Sequence, residues 1–430
     1  MDQGNTAFIL ICAALVLLMT PGLAFFYGGL VKAKSVISMM MMSFGAMGLI
    51  GVLWVLYGYA IAFPAAEGTV GPWSIDPGAF GLTNLLETPE GAAYPPLAFA
   101  AFQATFAIIT VALISGAIAD RAKFGAWMVF AGIWATVVYF PVASWVFNFG
   151  LNLEDDAFGP GEGTFVYGGW LTNGLEDVFG VGTIDFAGGT AVHINAGAAA
   201  LALALVLGKR VGFAKGVSVP HNPPFVLLGA GLLWFGWFGF NAGSELAADG
   251  VAAVAFLNTI AAPAAALIGW IIVEKIKDGK ATSVGAASGA VAGLVAITPA
   301  CGSLTPGWAI VLGLITGAIC ALAIDLKYKL GFDDSLDVVG IHLVGGLIGT
   351  LYLGIFANGT GLINSGEGTQ LLVQAIAAFS VLIYSFVLAF VIGFIIEKTM
   401  GFRIKNEDEI AGVDTVVHGE EGYVLADSRV

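Results

Sequence analysis

Two of the four histidines in this 430-residue chain stand in the same setting. His193 has Asp185 eight residues before it and Gly197 four residues after it, and His342 has Asp334 and Gly346 at the same offsets. The pattern D-x7-H-x3-G therefore occurs twice, 149 residues apart. A neutral imidazole offers one hydrogen-bond donor and one acceptor, and it exchanges its proton near neutral pH. Two of them side by side could pass hydrogen bonds, or a proton, to a small solute. The acids also fit a structural role, as caps and dipole partners at helix N-termini. No nucleophile–base set, metal-ligand cluster or phosphate loop accompanies them. No catalytic residue, metal site or cofactor is therefore assigned, and an enzyme is not indicated.

The elements that must hold these residues are membrane helices. Hydrophobic residues make up 58% of the chain and charged residues 11%, and the mean hydropathy is +0.91. A soluble domain carries roughly 25% charged residues, so neither a soluble enzyme nor a disordered chain fits. A net charge of −14 with no basic patch excludes nucleic acid as a partner. Eleven apolar segments approach the roughly 20 residues that a bilayer span needs. They run over 6–30, 36–63, 96–119, 124–147, 185–207, 224–244, 250–273, 281–299, 305–325, 335–357 and 370–396. The predicted fold class is an all-α polytopic membrane protein. Spans 5 and 8 are interrupted by small residues and are the weakest by hydropathy. The runs are continuous rather than alternating, which excludes a transmembrane barrel. Cys12, Cys301 and Cys320 lie in apolar stretches without ligand spacing and read as inert buried thiols. The first apolar run starts at Thr6 with no basic segment before it, so it reads as a retained span rather than a cleaved signal.

The basic residues test this division. All 16 fall in loops 1–2 (Lys32, Lys34), 3–4 (Arg121, Lys123), 5–6 (Lys209, Arg210, Lys215), 7–8 (Lys275, Lys277, Lys280) and 9–10 (Lys327, Lys329), or in the tail (Lys398, Arg403, Lys405, Arg429). Lys and Arg accumulate on the cytoplasmic side. The expected topology therefore has the N-terminus outside and the C-terminus in the cytoplasm. The other loops carry only acids, among them Glu67, Glu154, Asp155, Asp156, Glu162, Glu245 and Asp249. Such a face would concentrate cations by field focusing, or it is what the exclusion of bases leaves behind.

Five spans separate the two histidine motifs, so the second copy runs in the opposite sense. This is the mark of an inverted repeat, spans 1–5 (about 6–207) against 6–10 (about 224–357), with span 11 added. The membrane domain is expected over 1–396 and a tail over 397–430. Eight residues of helix rise about 12 Å, which would bring each histidine near the bilayer centre from opposite faces. The bland alternative is two unrelated buried histidines, each bonded to a carbonyl. Span 3 carries Phe99, Phe102, Gln103 and Phe106, and span 6 ends in Trp234 through Ser244 with Trp237, Phe238 and Phe240. Both aromatic groups are expected on the outer side, where they would form either a cation-attracting entrance or an interfacial belt.

These residues resemble the ammonium transporter family, which includes methylammonium permeases and Rh proteins. The likeness rests on Asp185 through His193 to Asn195, Gly236 through Ser244, Phe102-Gln103 through Phe106, Pro21-Gly22 with Phe26 through Leu30, and Asp333 through His342, and it reaches the tail at His418. The resemblance implies a homotrimer with one pore per subunit in the cell membrane. It implies uptake of ammonium or its analogue methylammonium, and a tail that contacts cytosolic loops and P-II signalling proteins. It implies that Phe102, Phe106, Trp237 and Ser244 form an outer ammonium site, that Phe106 and Phe240 gate it, and that His193 and His342 line the pore. Asp185 and Asp334 would be the electrostatic and structural acids. One departure stands out: Phe147 occupies the place where family members often carry a tryptophan, with Trp145, Tyr167 and Trp170 nearby in sequence. A passive Rh-like gas channel, a sensor signalling through a partner, and an organic-cation or urea transporter are the competing readings. The protein would contact membrane lipid and no cofactor, and its tail would be either a solvated end or a segment that couples the trimer or binds P-II protein.

Overall fold

The computed structural model describes residues 1–64, 73–149, 151–152, 157–158, 168–213 and 219–423. Glu67, Glu154, Asp155, Asp156, Glu162, Tyr167, Lys215 and Arg429 lie outside the described residues. Among the described residues, ten helices are long and apolar enough to cross a membrane, and an eleventh apolar helix is shorter. In chain order they are α1 (Gln3–Leu30), α2 (Ala33–Ala62), α3 (Pro96–Ile118), α4 (Phe124–Phe147), α5 (Gly189–Leu207), α6 (Pro223–Glu245), α7 (Gly250–Asp278), α8 (Ser283–Ile297), α9 (Pro306–Leu330), α10 (Val339–Phe356) and α11 (Thr369–Thr399). The short one is α8, at the expected eighth segment, where small residues lower the hydropathy. Among the described residues, extended pairing is confined to Leu151–Asn152 with Ala157–Phe158 and a bridge between Ala122 and Arg403.

Local chemistry sets where these helices begin. Prolines occupy the first turns of α3, α6 and α9, where a missing N–H costs nothing. Asn222 accepts from Phe225 N–H, Asp249 from Val251 and Ala252, and Thr282 from Gly285. Helices α1 and α6 pack at near contact: a Cβ on Gly229 would lie 2.2 Å from the Phe26 nitrogen. Large apolar side chains such as Ile11, Leu56, Phe235, Ile272, Ile383 and Ile395 stay exposed on the outer helix faces, as lipid contact requires.

The base-carrying loops meet the tail at one end of the molecule. Ile404 N–H donates to Arg121 O and Lys123 N–H to Phe402 O, at 2.9 Å each. Glu409 accepts from Val211 N–H at 2.7 Å and pairs with Arg403 at 3.0 Å. Lys34 donates to Ile410 O, and Lys277 pairs with Asp325. Arg210 joins Asp333 and Asp120, at 2.9 and 3.1 Å.

The expected twelve-ångström descent from each acid to its histidine needs correction. The helices start at Gly189 and Val339, after Asp185 and Asp334. The acids precede the helices rather than forming their first turns, so each histidine lies near its helix start.

Candidate functional site

Asp185 and Asp334 aim the two histidine helices. The Asp185 carboxylate accepts from the N–H groups of Gly188 (3.0 Å), Thr190 (2.8 Å) and Ala191 (3.2 Å), and also from Gly189 N–H and the Thr190 hydroxyl. It thereby satisfies the orphan donors of α5. Asp334 accepts from Val339 N–H at 2.7 Å, and Lys327 donates to its carbonyl at 3.0 Å. Both helices open with a wide π-helical turn, Gly189–Ile194 and Val339–Leu343, and each turn carries its histidine. Such turns displace side chains from regular helical register, often at functional sites.

The result is a direct contact. His193 Nδ1 lies 3.2 Å from His342 Nδ1, with ring centroids 5.3 Å apart and planes 24° apart. Both rings are buried. The glycines four residues on explain how the helices come this close. A Cβ on Gly197 would stand 2.5 Å from Leu343 N, and one on Gly346 would stand 3.2 Å from His193 Cβ. The repeated motif is thus a cap, a histidine and a crossing point on each helix.

The rest of the site surrounds this pair. A cavity of about 10 Å³ is lined by His193 and His342 together with apolar side chains such as Met19, Ile109, Leu113 and Leu233. That is room for about one water-sized molecule. Phe240 also lines it, and its ring stacks on Phe106 at 4.1 Å and 18°. Phe102 lies 4.9 Å from Phe106, and Phe147 meets Phe106 edge-on at 6.2 Å. Ser244 Oγ donates to Phe240 O at 2.8 Å, which leaves its lone pairs for another donor. Trp145 packs between Trp170 and Tyr384, facing α11 rather than Phe106.

Trp237 is the site residue whose position the letters conveyed least. It lies in the cavity wall, stacked on His193 at 5.5 Å and 22°, about two helical turns before Ser244 on α6. Its indole N–H donates to Thr298 Oγ1 at 2.9 Å. Thr298, just past α8, was not singled out in the sequence; nothing distinguishes it there from other helix-end threonines.

Fold and site together define a multi-pass helical membrane protein with a small, mostly apolar internal cavity beside two paired histidines. The profile of the ammonium transporter family matches residues 7–423. The ammonium transporter of Mycobacterium tuberculosis (strain H37Rv) is 52% identical, over 99% of this chain and 91% of the relative. That of Bacillus subtilis is 42% identical, over 98% and 99%. Among solved structures, a Sensor Amt Protein superposes with a TM-score of 0.84 at 29% identity, covering 96% of this chain and 98% of that one. Saccharomyces cerevisiae Mep2 gives 0.81 at 33%, covering 94% and 91%. The chain belongs to the ammonium transporter family. It is a membrane protein of ammonium transport or sensing, and not an enzyme.

Proposed function

We propose that the protein captures ammonium at an outer aromatic site, removes its proton and conducts ammonia past the paired histidines. The observation that carries this reading is the 3.2 Å contact of His193 with His342 beside a one-molecule cavity that is otherwise apolar. A bare cation is strongly disfavoured in such surroundings, whereas ammonia is neutral and can both donate and accept. Phe102, Phe106, Ser244 and Phe147 would hold the cation through ring faces and one hydroxyl acceptor, while Trp237, stacked on His193 in the cavity wall, would line the path below the gate. Phe106 and Phe240 would form the gate, and Asp185 and Asp334 would fix the histidine helices. Potassium, of similar size, has no N–H donors and would form no directional hydrogen bond with Ser244.

The same proposal includes eleven crossings of the cell membrane with the N-terminus outside. The gathering of base-rich loops and tail at one end supports it. A membrane domain over 1–396, a regulatory tail over 397–430, a homotrimer and docking of a P-II protein on the tail complete it. A sensor is the second reading, favoured by the likeness to the Sensor Amt Protein.

The test is electrophysiology on reconstituted protein in ammonium and potassium gradients, with a His193→Ala/His342→Ala variant alongside. Ammonium-selective transport that the double variant loses is expected. Wild-type rate and selectivity in that variant would overturn the pore assignment. Binding without flux in the parent protein would favour the sensor.

A further inference from the structure

The eleventh helix lies outside the repeat, yet it carries two buried glutamines. Gln370 and Gln374 are 2% and 0% exposed. Burying a carboxamide among apolar side chains is unfavourable unless all its hydrogen bonds are made. Gln374 makes all of them. Its Oε1 accepts from Ile184 N–H at 2.8 Å and from Gln370 at 3.2 Å. Its Nε2 donates to Ile184 O at 2.8 Å and to Thr350 O at 3.1 Å. Two acceptances and two donations exhaust an amide side chain.

The partners are what matter. Ile184 immediately precedes Asp185, whose carboxylate caps α5, and Thr350 belongs to α10, eight residues after His342. One side chain on α11 therefore ties the lead-in of the His193 helix to the body of the His342 helix. Gln370 extends the tie by donating to Gly182 O at 3.1 Å. Further along α11, Ser385 Oγ donates to Asn195 O at 2.7 Å, two residues after His193. α11 thus holds α5 on both sides of its histidine. Across from the glutamines, Phe186 and Ala187 N–H groups donate to Pro299 O and Thr298 O. The Asp185 segment is clamped between α11 and the end of α8.

We infer that Gln374 is a positioning residue for the pore: it sets the register of Asp185 and so the contact of His193 with His342. This rests on the histidine-pore reading. The outer Phe102, Phe106, Phe147 and Ser244 sit on α3, α4 and α6, and their side chains form no hydrogen bond with this clamp. Loss of Gln374 should therefore slow passage without weakening capture.

The experiment measures methylammonium uptake by the full chain in vesicles for Gln374→Leu, Gln374→Glu and Gln370→Leu. Gln374→Leu should lower the maximal rate about tenfold or more, since small misplacements are costly in positioned sites, and leave KM within about twofold. Gln374→Glu, neutral in this buried setting, keeps the bond from Ile184 N–H and one of the two donations, and should show the same split with a smaller fall. Gln370→Leu should fall between wild type and Gln374→Leu. If Gln374→Leu does not fold, the isosteric Gln374→Glu decides. A wild-type maximal rate in the folded variant, or a KM that rises in step with the lost rate, overturns the inference. The His193→Ala/His342→Ala variant separates the two failures. If it is impaired while Gln374 variants are normal, only the clamp is wrong; if it is normal, the pore reading itself fails.

Discussion

His193 and His342 face each other through the same atom, Nδ1 to Nδ1 at 3.2 Å. In a neutral pair only one of those nitrogens can carry the proton, so one ring donates and the other accepts. The donor ring then has a bare Nε2 and the acceptor ring an Nε2–H. His193 Nε2 is buried with no protein partner among the described residues. A solute in the cavity thus meets one donor and one acceptor, a polarity that ammonia can match. Nitrogen-15 spectra of the labelled protein should show one protonated and one bare Nδ1. Replacing His342 with alanine strands the His193 nitrogen at about 1–3 kcal/mol, and transport should fall about tenfold or more. Two bare Nδ1 nitrogens in the wild type would exclude the shared proton.

The two crossing glycines are unequal in what they tolerate. A methyl at Gly197 meets Leu343 backbone at 2.5 Å, whereas one at Gly346 meets Ile194 Cγ1 at 3.0 Å and Gly189 O at 3.1 Å. Backbone cannot step aside as a side-chain tip can. Gly197→Ala should cost about 1–3 kcal/mol of stability, the usual range for overpacking, and abolish most transport. Gly346→Ala should cost less on both counts. Thermal unfolding and methylammonium uptake, measured together, would show the order; the reverse order would contradict the packing argument.

This asymmetry also marks what could be read from letters. The D-x7-H-x3-G repeat was legible because a cap, a buried paired histidine and a crossing glycine each restrict the residue type to very few. The alternation of bases was legible because their position relative to a membrane is costly to get wrong. The helix starts at Gly189 and Val339 were not, since an acid that caps and an acid in a first turn look alike in sequence. Trp237 against His193 was hidden because a π turn on α5, not the spacing on α6, sets that contact. Gln374 was hidden because a glutamine's partners here are backbone atoms, which have no signature.

Phe147 and Phe106 form a T-shaped pair, with ring planes 82° apart and centroids 6.2 Å apart. An indole there would offer a stronger cation-binding face than a phenyl ring, worth about 0.5–2 kcal/mol. Phe147→Trp should lower KM for methylammonium by up to about tenfold and slow release into the pore. Competition assays at fixed ammonium would read the change. An unchanged KM would remove Phe147 from the outer site.

Arg210 and Asp333 tie loop 5–6 to loop 9–10. Burial pushes the Asp333 carboxyl up, but the Arg210 fork, with Arg121 close by, holds it below the ordinary carboxylate value. A carboxyl lowered in this way contributes stability above its unfolded value of about 3.9 and loses it only as pH falls through the folded value. Protection of the two loops against hydrogen exchange, taken relative to the intrinsic rate at each pH, should therefore stay flat from neutral pH down to the ordinary carboxylate range. Arg210→Met leaves Asp120 and Asp333 without their shared partner, a loss of about 3–5 kcal/mol for a buried pair. Exchange in both loops should rise together. A rise confined to loop 5–6 would show that the pair does not couple them.

The α-helical part of α2 begins at Val36, after a 3-10 turn, and Ser35 before it makes no side-chain cap bond. The tail supplies it: the Asp414 carboxylate accepts from Ile37 N–H at 3.0 Å and Ser38 N–H at 2.7 Å. A residue nearly four hundred positions away thus does the work of a local N-cap, and its charge sits at the positive end of the helix dipole. Removing a cap costs about 0.5–2 kcal/mol, and here that energy belongs to docking as well as to the helix. Asp414→Ala should raise hydrogen exchange in the tail and at the start of α2 in parallel. Asp414→Asn keeps an acceptor oxygen but no charge, and should fall between alanine and wild type. Exchange that rises in the tail while α2 stays protected would show that the helix is capped by solvent once the tail leaves. Transport measured in the same variants would then tell whether a docked tail matters to the pore.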